Sequence, residues 1–200
     1  MIDDRAEKLR LIRDEILTLE SSPLYEERIR NGVFPVIGEG DHFARIMLIG
    51  EAPGKNEAET GKPFCGASGK ILDELLASAG VDRKSVYVTN IVKDRPPGNR
   101  DPSVTEIECY APFLDRQIEI IQPSIIATLG RFSMDYIMRR YGLSHEVGPI
   151  SKIHGREFMT EAMGYEMKVV PLYHPAVAVY DRSKLGELKK DFNQLSKYIA

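Results

Sequence analysis

Four short apolar runs at 45–49, 85–92, 124–129 and 166–172 alternate with helical patterns at 68–79, 103–121 and 131–141. That alternation constrains the fold more than any other feature. Strands separated by whole helices pair as parallel neighbours through right-handed crossovers, with helices on the faces of the sheet. The expected architecture is α/β: a three-layer α/β/α sandwich around a central, mainly parallel four-stranded sheet. Gly80 and Gly142 serve as C-terminal helix stops. With 200 residues, 42% of them hydrophobic, the chain can bury one substantial core, so residues 1–200 read as a single domain. Leu9, Ile12, Ile16 and Leu19 recur at three- and four-residue steps and predict an amphipathic helix over about 4–20, laid on that core.

Open α/β sheets bind ligands at the carboxyl ends of their strands. Three loops therefore converge: the one after Ile46–Ile49, the one after Thr89-Asn90, and Tyr173-His174-Pro175-Ala176-Val177 after the last run. The first loop, residues 50–69, holds five glycines, which let backbone approach a ligand closely. It lacks both G-x-x-x-x-G-K-[ST] and G-x-G-x-x-G, so it is not a phosphate cradle. Glu51, Glu57 and Phe64 suit it instead to gripping a planar base.

Lys plus Arg total 27 against 30 Asp plus Glu. Without a basic excess, any nucleic-acid contact depends on local clustering of charge. Cys65 and Cys109 are the only cysteines, which excludes a disulfide framework and any four-cysteine site made within the chain. A reducing, cytoplasmic setting is expected, with no signal peptide and no apolar run near the roughly 18 residues of a membrane span.

Gly50-Glu51-Ala52-Pro53-Gly54 with Glu57, Thr60-Gly61-Lys62-Pro63-Phe64, Thr89-Asn90-Ile91-Val92-Lys93, Arg95-Pro96-Pro97-Gly98-Asn99-Arg100 and His174-Pro175-Ala176 occur in that order. Together they resemble the motifs of the uracil-DNA glycosylase superfamily, most closely its family 4 branch. The resemblance implies an enzyme that flips uracil out of DNA and hydrolyses its N-glycosidic bond, leaving an abasic site; a Schiff-base lyase step would need an activated amine in the pocket, and no lysine belongs to the base-binding motifs, so none is expected. Base flipping costs a few kcal/mol and demands a shaped pocket. The uracil-binding residues it implies are Ala52, Glu57, Phe64, Asn90 and His174. Phe64 would stack on the base. Asn90 would read uracil's N3–H and O4, a pattern that cytosine reverses. Glu57 would exclude the C5 methyl of thymine, and His174 would donate to O2 as negative charge develops on the leaving base.

The catalytic pair implied is Glu51 and His174, with Glu51 positioning the attacking water or stabilising the cationic sugar. Better understood branches use an Asp at a neighbouring position, and Ala52 cannot replace it. Lys55, Lys62, Lys93, Arg95 and Arg100 would line the phosphates, and Val177, with Val179 and Tyr180, would wedge into the base stack. Each residue has a plainer reading as well: Phe64 as a core aromatic, Asn90 as a turn cap, Glu57 as a solvated carboxylate and Val177 as helix packing. His42, His145 and His154 receive only the plain reading.

Family 4 enzymes carry an iron–sulfur cluster on four cysteines. Those positions fall here on Leu19, Ser22, Asp94 and Tyr110, with Cys109 one residue off register, so no cluster and no metal are expected. Packing of the N-terminal helix is the expected substitute. The expected partner is uracil-containing DNA, bound by a monomer in the cytoplasm or nucleoid. Two alternatives stand beside the enzyme: a non-catalytic or covalent uracil-DNA binding module, and a glycosylase with wider deaminated-base specificity. A covalent binder would carry a basic, His-containing insertion after Pro96-Pro97, and Gly98-Asn99-Arg100-Asp101-Pro102 has none.

Overall fold

A computed structural model describes residues 4–198. Along the chain it comprises helices α1 (Arg5–Leu17) and α2 (Tyr25–Asn31), strands β1 (Glu39–Gly40) and β2 (Ile46–Gly50), and helices α3 (Lys55–Thr60) and α4 (Ala67–Ser78). Strand β3 (Tyr87–Asn90), helix α5 (Val104–Ile121), strand β4 (Ile125–Leu129) and helices α6 (Arg131–Arg140) and α7 (Ile150–Ile153) follow. The chain closes with strands β5 (Phe158–Ala162) and β6 (Tyr165–Leu172) and helices α8 (Ala176–Tyr180) and α9 (Leu185–Phe192).

The strands form one six-stranded sheet in the order β1-β3-β2-β4-β6-β5. Its inner four strands are the expected parallel set, but β1 and β5 add an antiparallel edge on each side. The sheet is therefore mixed and six-stranded rather than a four-stranded, mainly parallel one. Side chains alternate across it: Met47 and Ile49 join the core beneath α1, α5 and α6, while Ile46 and Leu48 join the core beneath α4 and α9. Burial on both faces is why the inner strands read as unbroken apolar runs.

Strand order reverses between β2 and β4. β2 leads to β3 on one side, and β4 leads to β6 on the other, which opens a crevice at the carboxyl ends of the strands. Helix α1 packs on α5 through Leu9, Ile12 and Ile16, as its periodicity predicts. Helix α5 starts sharply because Ser103 and Glu106 form a reciprocal capping box: the Ser103 hydroxyl accepts from Glu106 N–H and the Glu106 carboxylate accepts from Ser103 N–H.

Candidate active site

Glu51 leaves β2, Asn90 ends β3 and His174 follows β6, so three parallel strands deliver their last side chains to one cavity of about 410 Å³. Phe64, Ala52 and Glu57 line the same cavity. All six residues that the sequence assigns to base binding and catalysis are thus brought together.

Two close approaches shape the floor. A Cβ on Gly50 would lie 2.3 Å from Asn90 Oδ1 and 2.8 Å from the Phe64 ring, so only glycine lets the amide and the ring meet there. A Cβ on Gly69 would lie 1.8 Å from the Phe64 carbonyl oxygen. Phe64 itself sits in the left-handed region at φ 49°, uncommon for a bulky side chain. The Glu57 carboxylate holds that loop, accepting from Cys65 N–H at 3.0 Å and Gly66 N–H at 2.9 Å. Glu57 is therefore a fixed wall of the cavity, not a solvated loop carboxylate. Asn90 is buried, yet its carboxamide makes no hydrogen bond within the described residues, leaving its donors and acceptor for a ligand.

The His174 ring is oriented by its own loop. Ala176 N–H donates to Nδ1 at 3.1 Å, so Nδ1 is the acceptor and the ring proton resides on Nε2. Burial lowers the His174 pKa to about 4, against the opposing pull of Glu57. At neutral pH the ring is an uncharged N–H donor, stacked at a tilt 5.7 Å from Phe64.

The Glu51 carbonyl accepts from Val92 N–H at 3.0 Å, but its carboxylate, facing the cavity, has no ion-pair or hydrogen-bond partner among the described residues. Burial raises its pKa to about 7; Asp101 reinforces the shift and Arg131 opposes it. A carboxylate with that affinity is suited to accept a proton near neutrality. Asp101 lines the cavity and lies 3.6 Å from Arg131. Sequence reasoning missed it, since an acidic residue after Arg100 in a Pro/Gly loop carries no signal of its own.

The charged rim differs from expectation in several places. Lys55 and Arg100 line the cavity mouth, with Arg100 held by two hydrogen bonds to Glu106 at 2.6 and 2.9 Å. Lys62 lies on the other side of Phe64, in a neighbouring groove, and Arg95 is turned to Asn99 at 2.7 Å. Lys93 is fully buried and cannot touch a phosphate. Val177 packs against the core beneath α4, while Val179 and Tyr180 occupy the rim, with Tyr180 90% exposed. His154 bonds Asp191 at 2.6 Å and ties α9 to the chain before β5, a structural use like the one expected.

The positions where the resemblance would place cluster cysteines are occupied by a different device. Tyr110 donates to the Asp94 carboxylate at 2.5 Å and pairs with Ser22 Oγ at 2.7 Å. Arg28 donates to Asp94 at 2.9 Å and to the carbonyls of Ile16 and Leu17. Leu19 packs against the core. Iron–sulfur clusters take thiolates, and this buried network offers a hydroxyl, a phenol and a paired carboxylate, so the donor set does not fit a cluster. The N-terminal helices are held by a polar network as well as by the expected packing.

Residues 37–199 match the family described as the uracil DNA glycosylase superfamily. A Type-4 uracil-DNA glycosylase of Saccharolobus solfataricus is 41% identical over 195 residues, covering 97% of this chain and 88% of that protein. One from Sulfurisphaera tokodaii is 40% identical over 190 residues, covering 94% and 84%. One from Archaeoglobus fulgidus is 42% identical over 162 residues, covering 81% and 80%.

Proposed function

The chain belongs to the uracil DNA glycosylase superfamily, and on that premise we propose that it is a monofunctional repair glycosylase whose cavity receives a uracil flipped out of DNA. The enzyme hydrolyses the N-glycosidic bond and leaves an abasic site. Phe64 supplies the stacking face, worth roughly 1–3 kcal/mol for a base on an aromatic ring. The Asn90 carboxamide accepts from N3–H and donates to O4; cytosine would leave those groups unpaired in a buried site. Glu57, fixed in the cavity wall, is the group that excludes a C5 methyl.

Cleavage moves an electron pair from the C1′–N1 bond onto the base, leaving cationic character on the sugar. Nε2–H of neutral His174 donates to O2 and stabilises the uracil anion without first losing a proton. Glu51, on the β2 side of the cavity, positions water and takes its proton as the water oxygen bonds to C1′. No metal is assigned a part, a reading supported by a chain with only two cysteines and none at the positions of a cluster.

The observation that carries this reading is the convergence of Glu51, Asn90, Phe64 and His174 on one cavity. Its test is cleavage of a single-uracil oligonucleotide, read on a denaturing gel after alkaline scission, with EDTA present. Multiple turnover is expected for the wild type, with a loss of about 100- to 1,000-fold in Asn90→Ala and His174→Ala. Tight binding to uracil-containing DNA with no product at stoichiometric protein would sink the enzyme reading in favour of a binding module.

A further inference from the structure

The residue that leaves the phosphate-contacting set acquires another task. Lys93 Nζ lies 2.7 Å from the Asn90 carbonyl oxygen, 2.8 Å from Thr89 Oγ1 and 2.6 Å from Gln117 Oε1. Each of these atoms is an acceptor in place. Thr89 gives its own proton to the Ile37 carbonyl at 2.7 Å, and Gln117 turns Nε2 to that same carbonyl at 2.9 Å, which leaves Oε1 facing the lysine. Three acceptors need three protons, and only the ammonium form has three. The side chain is fully buried, and no carboxylate lies within ion-pair distance among the described residues. A buried, unneutralised cation is costly unless something uses it.

We infer that Lys93 is a positioning residue of the glycosylase reaction: its ammonium fixes the backbone of Asn90 and places one positive charge beneath the base pocket, where the departing uracil becomes an anion. This rests on Asn90 reading the base. The β2–β3 pairing holds the Asn90–Ile91 peptide group from one side, with Ile91 N–H on the Gly50 carbonyl at 3.0 Å; Lys93 holds the other side of that same peptide group through the Asn90 carbonyl. The charge then sits against the backbone of the residue that reads the base, in buried surroundings where an interaction is far stronger than in water. Burial draws the Lys93 pKa well below its ordinary value. The titratable groups around it are Tyr87, bonded to the Gln117 amide at 3.3 Å; Asp94, turned away to Arg28 and Tyr110; and Glu51, across the β2–β3 pair in the cavity.

The test is single-turnover cleavage against pH for wild type and Lys93→Met, with affinity measured on DNA carrying a non-cleavable 2′-fluoro-deoxyuridine. Lys93→Met is expected to cut the cleavage rate about 100-fold while leaving affinity and its salt dependence unchanged. Beyond the rise that accompanies Glu51 ionisation, the wild-type rate should fall again as the ammonium is lost, and that falling limb should vanish in the variant. An unchanged rate overturns the inference. So does a uniform loss of affinity with a shallower salt slope, the signature of a phosphate contact. Should Lys93→Met not fold, Thr89→Val removes one acceptor with Lys93 in place; the alkaline limb is expected to move to lower pH, and a stationary limb overturns the inference. Asn90→Ala separates the two readings. Inactive Asn90→Ala beside fully active Lys93→Met removes the role of Lys93 alone, whereas fully active Asn90→Ala removes the base-reading site and this inference with it.

Discussion

At the scale of single residues, the cavity depends on opposite displacements of two acids. His174 is held neutral down to about pH 4, and the Glu51 carboxyl holds its proton up to about pH 7. If Glu51 acts as an anion, activity rises as pH climbs through about 7, and the imidazole adds no limb above pH 5. Glu51→Gln should abolish that rise and most of the rate. The same displacement bears on stability. A folded-state pKa raised from 4.5 to about 7 means that the folded protein binds more protons than the unfolded one between those values, so this group's contribution declines as pH rises across that window. Glu51→Gln is therefore expected to melt higher than wild type at pH 8, with the gain shrinking towards pH 5. A variant no more stable than wild type at pH 8 would show that burial does not strain the carboxylate.

At the scale of elements, the polar network around Asp94 joins α1, α2 and α5 to the loop that carries Arg95 and Arg100. Asp94 is buried with its charge opposite Arg28, so Asp94→Ala leaves an uncompensated guanidinium and should cost about 3–5 kcal/mol by urea unfolding. Tyr110→Phe removes one hydrogen-bonded hydroxyl and should cost about 1–3 kcal/mol; equal losses in the two variants would refute the charge argument. None of this network was legible in the sequence, because Ser22, Arg28, Asp94 and Tyr110 are far apart in the chain and each reads as polar surface. Lys93 was misread for a related reason, since lysines are almost never fully buried. The inner strands were legible as continuous apolar runs. The edges were not: β1 is two residues long, and β5 alternates, with Met159 and Glu161 turned outward. The hairpin from β5 to β6 turns on Met163-Gly164, both at positive φ, and a methionine there hides the usual Asn-Gly signature. The convergence of the loops bearing Glu51, Asn90 and His174 was legible because a parallel sheet places strand ends on one edge, whereas the base-binding roles of these residues and of Ala52, Glu57 and Phe64 were legible only through the resemblance of their motifs.

At the scale of the whole molecule, a net charge of −3 gives long-range attraction to DNA little to draw on, so the proposed binding rests on a few cations at the cavity mouth and beside it. Lys55, Lys62, Arg95 and Arg100 remain once Lys93 is withdrawn, and Arg100 is already paired with Glu106. Each neutralised phosphate releases counterions, so the logarithm of affinity for duplex DNA should fall against the logarithm of salt with a slope no steeper than about −3.6 for four contacts. Arg100→Ala should make the slope shallower by about 1 and weaken uracil-containing and undamaged duplexes alike, because a phosphate contact carries no base information. Phe64→Ala should behave in the opposite way, leaving the slope intact while removing the preference for uracil. Fluorescence anisotropy on matched duplexes over 50–300 mM salt would check both. A slope well beyond −4 would mean that a larger basic surface engages DNA than the four side chains named, and the cavity mouth would no longer account for docking.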